Sequence, residues 1–306
     1  MNDHGWHILG AGSLGIMWAC RLARASVPAR LVLRDREHLR AYQAEGYLTL
    51  SEAGQVSRWP LPAEASDATT PIRRLLVACK AYDAQPATAA LASRLVTGAD
   101  VVLLQNGLGS QDAVAASLPH VRCIYASSTE GALRPSRWHS QSTGQGSTWL
   151  GDPHDSTPVQ WLAQLQASGI NHEWTADIVT RQWQKLAINC AINPLTVLYD
   201  CRNGDLQDHA PEVAALCQEL SDLLLHCAPP GATQDLHAQV QRVIAATAAN
   251  YSSMHQDVAH RRRTEVSYLL GYACHRAAAG RIEIPRLREL LARLTDRLYQ
   301  AGLPSD

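Results

Sequence analysis

The short apolar run Trp6-His-Ile-Leu9 leads directly into Gly10-Ala11-Gly12-Ser13-Leu14-Gly15, and an apolar helical pattern follows to about Ala25. This strand, glycine turn and helix constrain the fold more than any other feature of the chain. The first glycine permits the tight turn, the second lets the backbone approach a pyrophosphate, and the third lets the helix lie close to the strand. The helix N-terminus then offers N–H donors and the positive end of its dipole to phosphates. The turn from Gly10 to Gly15 is therefore expected to bind a dinucleotide inside a parallel α/β sheet. The bland alternative is a tight strand–helix turn in a fold without a cofactor.

The segments that follow support such a sheet. Ala29–Leu33, Leu75–Ala78, Val101–Leu104 and Val121–Ala126 read as short strands, with a helix from about Asp83 to Leu95. Strands alternating with helices argue for a parallel sheet covered on both faces. The segment Leu133–Gly151, rich in Ser, Gly and Gln, reads as a hairpin or irregular strands. A helix over Pro158–Ser168 and a strand at His172–Trp174 close this part. From about Asp177 helical periodicity takes over, with helices expected at 178–199, 211–227, 234–248, 262–279 and 286–301. The expected organisation is an α/β dinucleotide domain over 1–174 and an all-helical domain over 175–306, with the site in the crevice between them.

Two loops follow strands and should reach the ligand edge of the sheet. Lys80, after Leu75–Ala78, is placed to contact a cofactor. Asn106, in Gln105-Asn106-Gly107-Leu108-Gly109, is placed to reach a nicotinamide or a reacting carbonyl. Each also suits a cap or a turn, since Asn-Gly is a common turn signal. Ser127-Ser128-Thr129 is a weaker candidate of the same kind. The second strand ends in Leu33-Arg34-Asp35-Arg36. An acid at this spacing commonly accepts from a ribose 2′-OH, whereas an Arg accommodates a 2′-phosphate. Adjacent strand residues face opposite ways, so only one of Arg34 and Asp35 can face the ribose if the strand stays regular.

The second half carries a denser signal. In Trp183-Gln-Lys185-Leu-Ala-Ile-Asn189-Cys-Ala-Ile-Asn193-Pro, a Lys and two Asn recur every four residues in an otherwise apolar helix. Steps of four rotate only about 40° around the axis, so the three side chains form one stripe. Such a row can hold a small polyoxygenated molecule and offer it a proton. A snorkelling lysine and interhelical amide bonds are the structural alternatives, with Asn193 marking a kink before Pro194.

Bulk composition excludes several classes. The chain has 306 residues and a net charge of −1, which favours neither nucleic acid nor an anionic membrane as partner. The run Arg261-Arg262-Arg263 reads as a solvated helix face. No apolar stretch approaches the roughly 20 residues needed to span a bilayer. The opening Met-Asn-Asp-His-Gly-Trp lacks the pattern of a secretory signal. The eight Cys include no C-x-x-C pair, which fits reduced thiols in a cytoplasmic protein, and the thirteen dispersed His suggest no metal site.

Taken together, the motifs resemble the ketopantoate reductase (2-dehydropantoate 2-reductase) family. The resemblance runs nearly the whole chain. It rests on the glycine turn, Lys80, Asn106-Gly107 and the Lys185/Asn189/Asn193-Pro-Leu-Thr segment. It continues through Asn203-Gly204, Asn250-x-Ser252-Ser253-Met254-x-Gln256-Asp257 and Arg263-Thr264-Glu265. It implies a Rossmann-type domain plus a helical domain with the C-terminal fold of 6-phosphogluconate dehydrogenase. It also implies reduction of ketopantoate to D-pantoate with NADPH, in pantothenate and coenzyme A biosynthesis. Carried over, Lys185 is the proton donor, and Glu265 lies beside it to position substrate or cofactor. Asn106 touches both nicotinamide and substrate, while Asn189, Asn193, Asn203 and Ser253 bind the substrate. Residues 10–15, Lys80 and Arg34 hold the cofactor, with Arg34 rather than Asp35 facing the 2′-phosphate. The Ser127–Gly131 loop departs from the family's usual Thr-Thr pattern, and Glu130 is expected close to the cofactor amide. An obvious bidentate Arg for a carboxylate is missing from the motif, leaving Arg181 or Arg263 in reserve. The alternatives are a paralogue acting on another small 2-keto acid and a non-catalytic NADP(H)-binding regulator. A monomer or homodimer is expected.

Overall fold

The computed structural model describes residues 5–306. Met-Asn-Asp-His, part of the segment read as lacking a secretory signal, lies outside the described residues. The described residues form two compact units, one from those up to Gln105 and 110–178, the other from 106–109 and 179–306. The short loop Asn106–Gly109 thus groups with the second unit, although its chain neighbours on both sides belong to the first.

The first unit runs β1 (Trp6–Leu9), α1 (Ser13–Arg24), β2 (Ala29–Leu33), α2 (Arg36–Glu45), β3 (Leu48–Glu52), β4 (Gln55–Trp59) and β5 (Ala63–Ala65). It continues with β6 (Ile72–Val77), α3 (Ala81–Ala89), β7 (Leu95–Leu103), α4 (Ser110–Ser117) and β8 (Arg122–Ser128). It closes with β9 (Gly131–Ser136), β10 (His139–Gly144), β11 (Thr148–Gly151), α5 (Leu162–Ala167) and β12 (His172–Trp174).

The main sheet has the order β12-β11-β8-β7-β6-β1-β2-β5. From β5 to β8 every pairing is parallel, and β11 joins antiparallel to β8. Those six parallel strands have the doubly wound order of a Rossmann sheet, with the switch point between β1 and β6. All four residues of β1 are buried, as a central strand covered on both faces requires.

A second, four-stranded sheet, β4-β3-β10-β9, joins two segments far apart in sequence. Irregular strands are expected over 133–151, but no local pattern marks α2, β3, β4 or β5. Helix α1 packs against both β2 of the main sheet and β3, β9 and β10 of the second. Its burial on several sides explains why Ile16, Met17, Trp18, Ala19, Cys20 and Leu22 are all fully covered.

The second unit contains α6 (Ile178–Leu198), α7 (Ala210–Cys227), α8 (Leu236–Ala246), α9 (Ser253–Ala259), α10 (Leu270–Gly280) and α11 (Pro285–Gln300). Helix α6 runs on through Pro194. Helix α11 buries Leu287, Leu290, Leu294 and Leu298, an i, i+3, i+7, i+11 stripe. Buried Glu219 of α7 accepts the backbone N–H groups of Arg286 and Leu287 at 2.9 Å each. A carboxylate there satisfies donors that the helix cannot satisfy itself and meets its positive dipole end.

The helix expected over 262–279 is broken. Arg261, at φ 54°, terminates α9 in the left-handed region, and a 3-10 turn at Val266–Tyr268 precedes α10. The triple-arginine run is therefore a helix-ending turn rather than a helix face. Within it Arg262 pairs with Asp257 at 3.2 Å, and Arg263 bonds Asp306. Among the described residues no helix is long and apolar enough to cross a membrane.

Candidate functional site

In the first unit the site is built where β1 and β6 end side by side. Ala78 donates its N–H to the Leu9 carbonyl at 2.8 Å, which draws the turns after the two strands together. Gln105 ties in the end of β7 by donating its amide to the Val77 carbonyl at 2.8 Å and the Cys79 carbonyl at 3.2 Å. Nothing in its local sequence marks Gln105 for this role.

The three glycines differ in what they do. Gly10 has φ +106°, and a Cβ there would stand 2.6 Å from the Cys79 nitrogen. A Cβ on Gly15 would collide with the Gly10 carbonyl. Both glycines are thus required by the protein's own packing. Gly12 is not: its φ is −80°, and a Cβ would meet nothing closer than the Ala78 oxygen at 3.6 Å. A bare backbone that the fold does not demand, at the N-cap of α1, fits a ligand that must approach it closely. Ala11, Ser13 and Leu14 complete the turn and are each partly exposed. Lys80 occupies the N-cap position of α3 at the adjacent turn and is partly exposed.

Arg34 lies just beyond the end of β2, so the strict alternation assumed for Arg34 and Asp35 does not apply. Asp35 is the N-cap of α2, accepting the His38 N–H at 2.8 Å. That hydrogen bond, with the His38 ring, holds its carboxyl pKa down to about 2. Arg34 projects into solvent, 77% exposed.

The Ser127–Gly131 loop is committed to structure. Ser128 accepts from Thr148 at 2.8 Å and from the Glu130 N–H at 3.2 Å, and Thr129 bonds Ser147 across the sheet. Glu130, expected near the cofactor amide, instead turns its carboxylate into α1, where Arg21 and Trp18 donate to it. Buried Arg21 needs compensating charge, and Glu130 together with Glu52 supplies it.

In the second unit α6 carries Lys185, Asn189 and Asn193 at steps of four, with Asn193 buried and the other two partly exposed. Lys185 Nζ donates to Asn106 Oδ1 at 2.8 Å. Since an ammonium only donates, this bond fixes the flip of the Asn106 amide and turns its NH2 away from Lys185. Burial pulls the Lys185 pKa down to about 8, while the charge of Glu265 acts in the opposite direction. Glu265 is itself buried, at the start of the 3-10 turn.

The Asn106 loop is clamped from behind. Leu108 N–H bonds the Tyr268 carbonyl at 2.9 Å, and Gly107, at φ +77°, has its α-carbon so close to that carbonyl that a Cβ would collide with it. The break in the expected helix makes this possible, because a helical Tyr268 carbonyl would be bonded at i+4. Asn106, Lys185 and Glu265 therefore come together.

Asn203 and Ser253 are placed less directly. Asn203 is buried and donates to Thr247 at 2.8 Å, while its carbonyl oxygen has no hydrogen-bond partner. Ser253 is exposed on the first turn of α9. Its neighbour Ser252 takes the capping bond from His255 N–H and a 2.7 Å bond with Thr196. Arg263 is engaged with Asp306, and Arg181 is exposed. Among the described residues no group of three or more His, Cys, Asp or Glu is placed to hold a metal.

Comparison with known proteins gives a consistent result. The family model "Ketopantoate reductase PanE/ApbA" matches residues 6–155, and its C-terminal counterpart matches residues 177–297. A 2-dehydropantoate 2-reductase of Vibrio cholerae is 32% identical over 91% of this chain and 92% of its own length. One from Halobacterium salinarum is 31% identical over 95% and 98%. Among solved structures, a D-mandelate dehydrogenase with NADH and anilino(oxo)acetate superposes at a TM-score of 0.86 with 18% identity, covering 97% of this chain and 99% of that one. A probable 2-dehydropantoate 2-reductase from Bacillus subtilis superposes at 0.82 with 24% identity, covering 96% and 99%.

Proposed function

This chain belongs to the ketopantoate reductase family, and from that premise we propose that it reduces 2-dehydropantoate to D-pantoate with NADPH. The observation that carries the reading is the bond from Lys185, on the polar stripe of apolar helix α6, to Asn106 of the loop after β7, with Glu265 buried nearby. The cofactor would be held by residues 10–15, with Lys80 at the neighbouring turn and Arg34 toward the 2′-phosphate. When bound, its nicotinamide supplies the hydride.

The chain's own residues do the rest. Adding hydride to a ketone builds negative charge on its oxygen, and an ammonium beside that oxygen stabilises the charge and gives up a proton. Lys185 suits this task. With a pKa near 8 it is charged at neutral pH, yet it is a stronger acid than an exposed lysine. Glu265 keeps the ammonium charged against the pull of burial. Asn106, its amide oriented by Lys185, presents NH2 donors to the bound molecules. Asn189, Asn193, Asn203 and Ser253 offer amide and hydroxyl groups that both donate and accept, as a hydroxy-acid requires. The reaction fits a cytoplasmic step of pantothenate and coenzyme A formation.

The test is loss of nicotinamide absorbance when the protein meets ketopantoate, with NADPH and NADH run in parallel and Lys185→Ala as control. Rapid turnover with NADPH that the variant abolishes is the expected result. Cofactor binding without turnover on ketopantoate would overturn the substrate assignment, and faster turnover with NADH would overturn the cofactor assignment.

A further inference from the structure

Immediately after β2, three side chains form a closed polar chain. Asp35 Oδ1 lies 2.7 Å from His38 Nδ1, and His38 Nε2 lies 2.9 Å from Arg34 Nη2. A guanidinium can only donate, so Nε2 accepts and the ring proton sits on Nδ1, facing Asp35. Asp35 also accepts the His38 backbone N–H and the Arg34 Nε–H, the latter at 3.4 Å. Its carboxylate, held near a pKa of 2, stays ionised wherever an imidazole titrates. Committed to these partners, Asp35 is poorly placed to accept a ribose hydroxyl.

An anion reaching Arg34 from solvent meets His38 Nε2 beside it. That atom's one lone pair is engaged by Arg34 Nη2, so an anion that takes the guanidinium releases it; a released neutral ring would turn the lone pair on a phosphate oxygen and repel it, whereas a protonated ring donates to one. Because Asp35 locks the existing proton on Nδ1, an added proton must enter at Nε2, next to Arg34. The anion both draws the guanidinium away from Nε2 and faces the proton that enters there, so the proton and the anion assist each other. The other charges nearby are committed or solvated. Arg36 pairs with Asp67 at 2.8 Å, and Glu64 of β5 is held by Arg30 and Arg94. Glu37 and Arg40 of α2 are exposed.

We infer that His38 is a proton-coupled specificity residue: the 2′-phosphate of the dinucleotide is held by Arg34 together with a His38 that takes one proton from solvent as the phosphate binds. This rests on the NADPH reading above. A ligand with a bare 2′-hydroxyl gains nothing from the added proton, so discrimination between the two cofactors should widen as pH falls.

The experiment is isothermal titration of the full chain with 2′,5′-ADP and with 5′-AMP, at about pH 7.5 in Tris and in HEPES, whose ionisation heats differ. Wild type should show net proton uptake with 2′,5′-ADP and none with 5′-AMP. His38→Gln should lose the uptake and bind 2′,5′-ADP roughly tenfold more weakly, with 5′-AMP binding unchanged as the control for folding. A phosphate monoester itself titrates near pH 6, so the decisive quantity is the difference between wild type and variant. Preference for 2′,5′-ADP without proton uptake, or with equal uptake in His38→Gln, would overturn the role of His38 alone. No preference for 2′,5′-ADP over 5′-AMP in wild type would overturn the NADPH reading as well.

Discussion

Lys185 Nζ and Asn106 Oδ1 meet at 2.8 Å although 79 positions separate them in the chain. The bond couples the candidate proton donor to a loop that leaves the sheet after β7. It makes the acidity of Lys185 depend on what stands at position 106.

Activity that requires the Lys185 ammonium should fall as pH rises through about 8, the value to which burial lowers its pKa. Asn106→Asp replaces a neutral acceptor by an anion, which favours the charged lysine and should move the alkaline limb of the kcat profile to higher pH. Asn106→Ala removes the acceptor and should move it to lower pH. Lys185→Ala should lower kcat by roughly 10²–10⁴-fold. An alkaline limb that ignores both position-106 variants would uncouple the pair.

Gly107→Ala should reduce kcat by about 100-fold, because a new Cβ would collide with the Tyr268 carbonyl and push Asn106 out of place. Gly46 provides the control. Its φ of +81° carries similar backbone strain, but a Cβ there meets nothing within 4 Å. Gly46→Ala should cost only about 1 kcal/mol of stability, read by urea unfolding, and leave kcat alone.

Glu130→Ala should destabilise the first unit by roughly 3–5 kcal/mol, since it leaves the buried Arg21 and the Trp18 N–H short of an acceptor. Glu130→Gln keeps an acceptor and should cost less. Urea midpoints and 5′-AMP binding check this together: a lower midpoint with binding retained fits the position of Glu130 against α1, whereas lost binding at an unchanged midpoint would return Glu130 to the ligand.

Buried thiols should make the fold alkali-sensitive. Burial raises the pKa of Cys20 to about 12, and those of Cys123, Cys217 and Cys274 to about 11, from a reference of 9.0. A folded pKa above the unfolded one gives stability that is complete below pH 9 and lost as the unfolded thiol ionises. By pH 10 each thiol gives up roughly 1.4 kcal/mol. Lys185, with its lowered pKa, works the other way over pH 8 to 10.5, but it is one group against these four and Cys190, whose pKa burial also raises. The urea midpoint should therefore fall between about pH 9 and pH 10; a midpoint that rises would contradict the burial of the thiols.

The sequence by itself determined whatever depends on spacing within one element. Gly10, Gly12 and Gly15 marked the turn between β1 and α1 because each glycine's demand is local. The stripe of Lys185, Asn189 and Asn193 followed from helical period alone. Tertiary structure decided the rest. Residues 48–59 pair with 131–144 to make a second sheet, and no local pattern announces a pairing between segments so far apart. The same sheet covers α1, and Glu130, legible as a loop acid, became the counter-ion of a buried Arg21. The helical pattern over 262–279 gave way to a 3-10 turn, because the Tyr268 carbonyl bonds Leu108 rather than its own helix. Asp35 became a cap because the chain turned into α2 immediately after Leu33. In each case a backbone or charged group gained a partner distant in sequence or a cap at a chain turn, and periodicity carries no information about either.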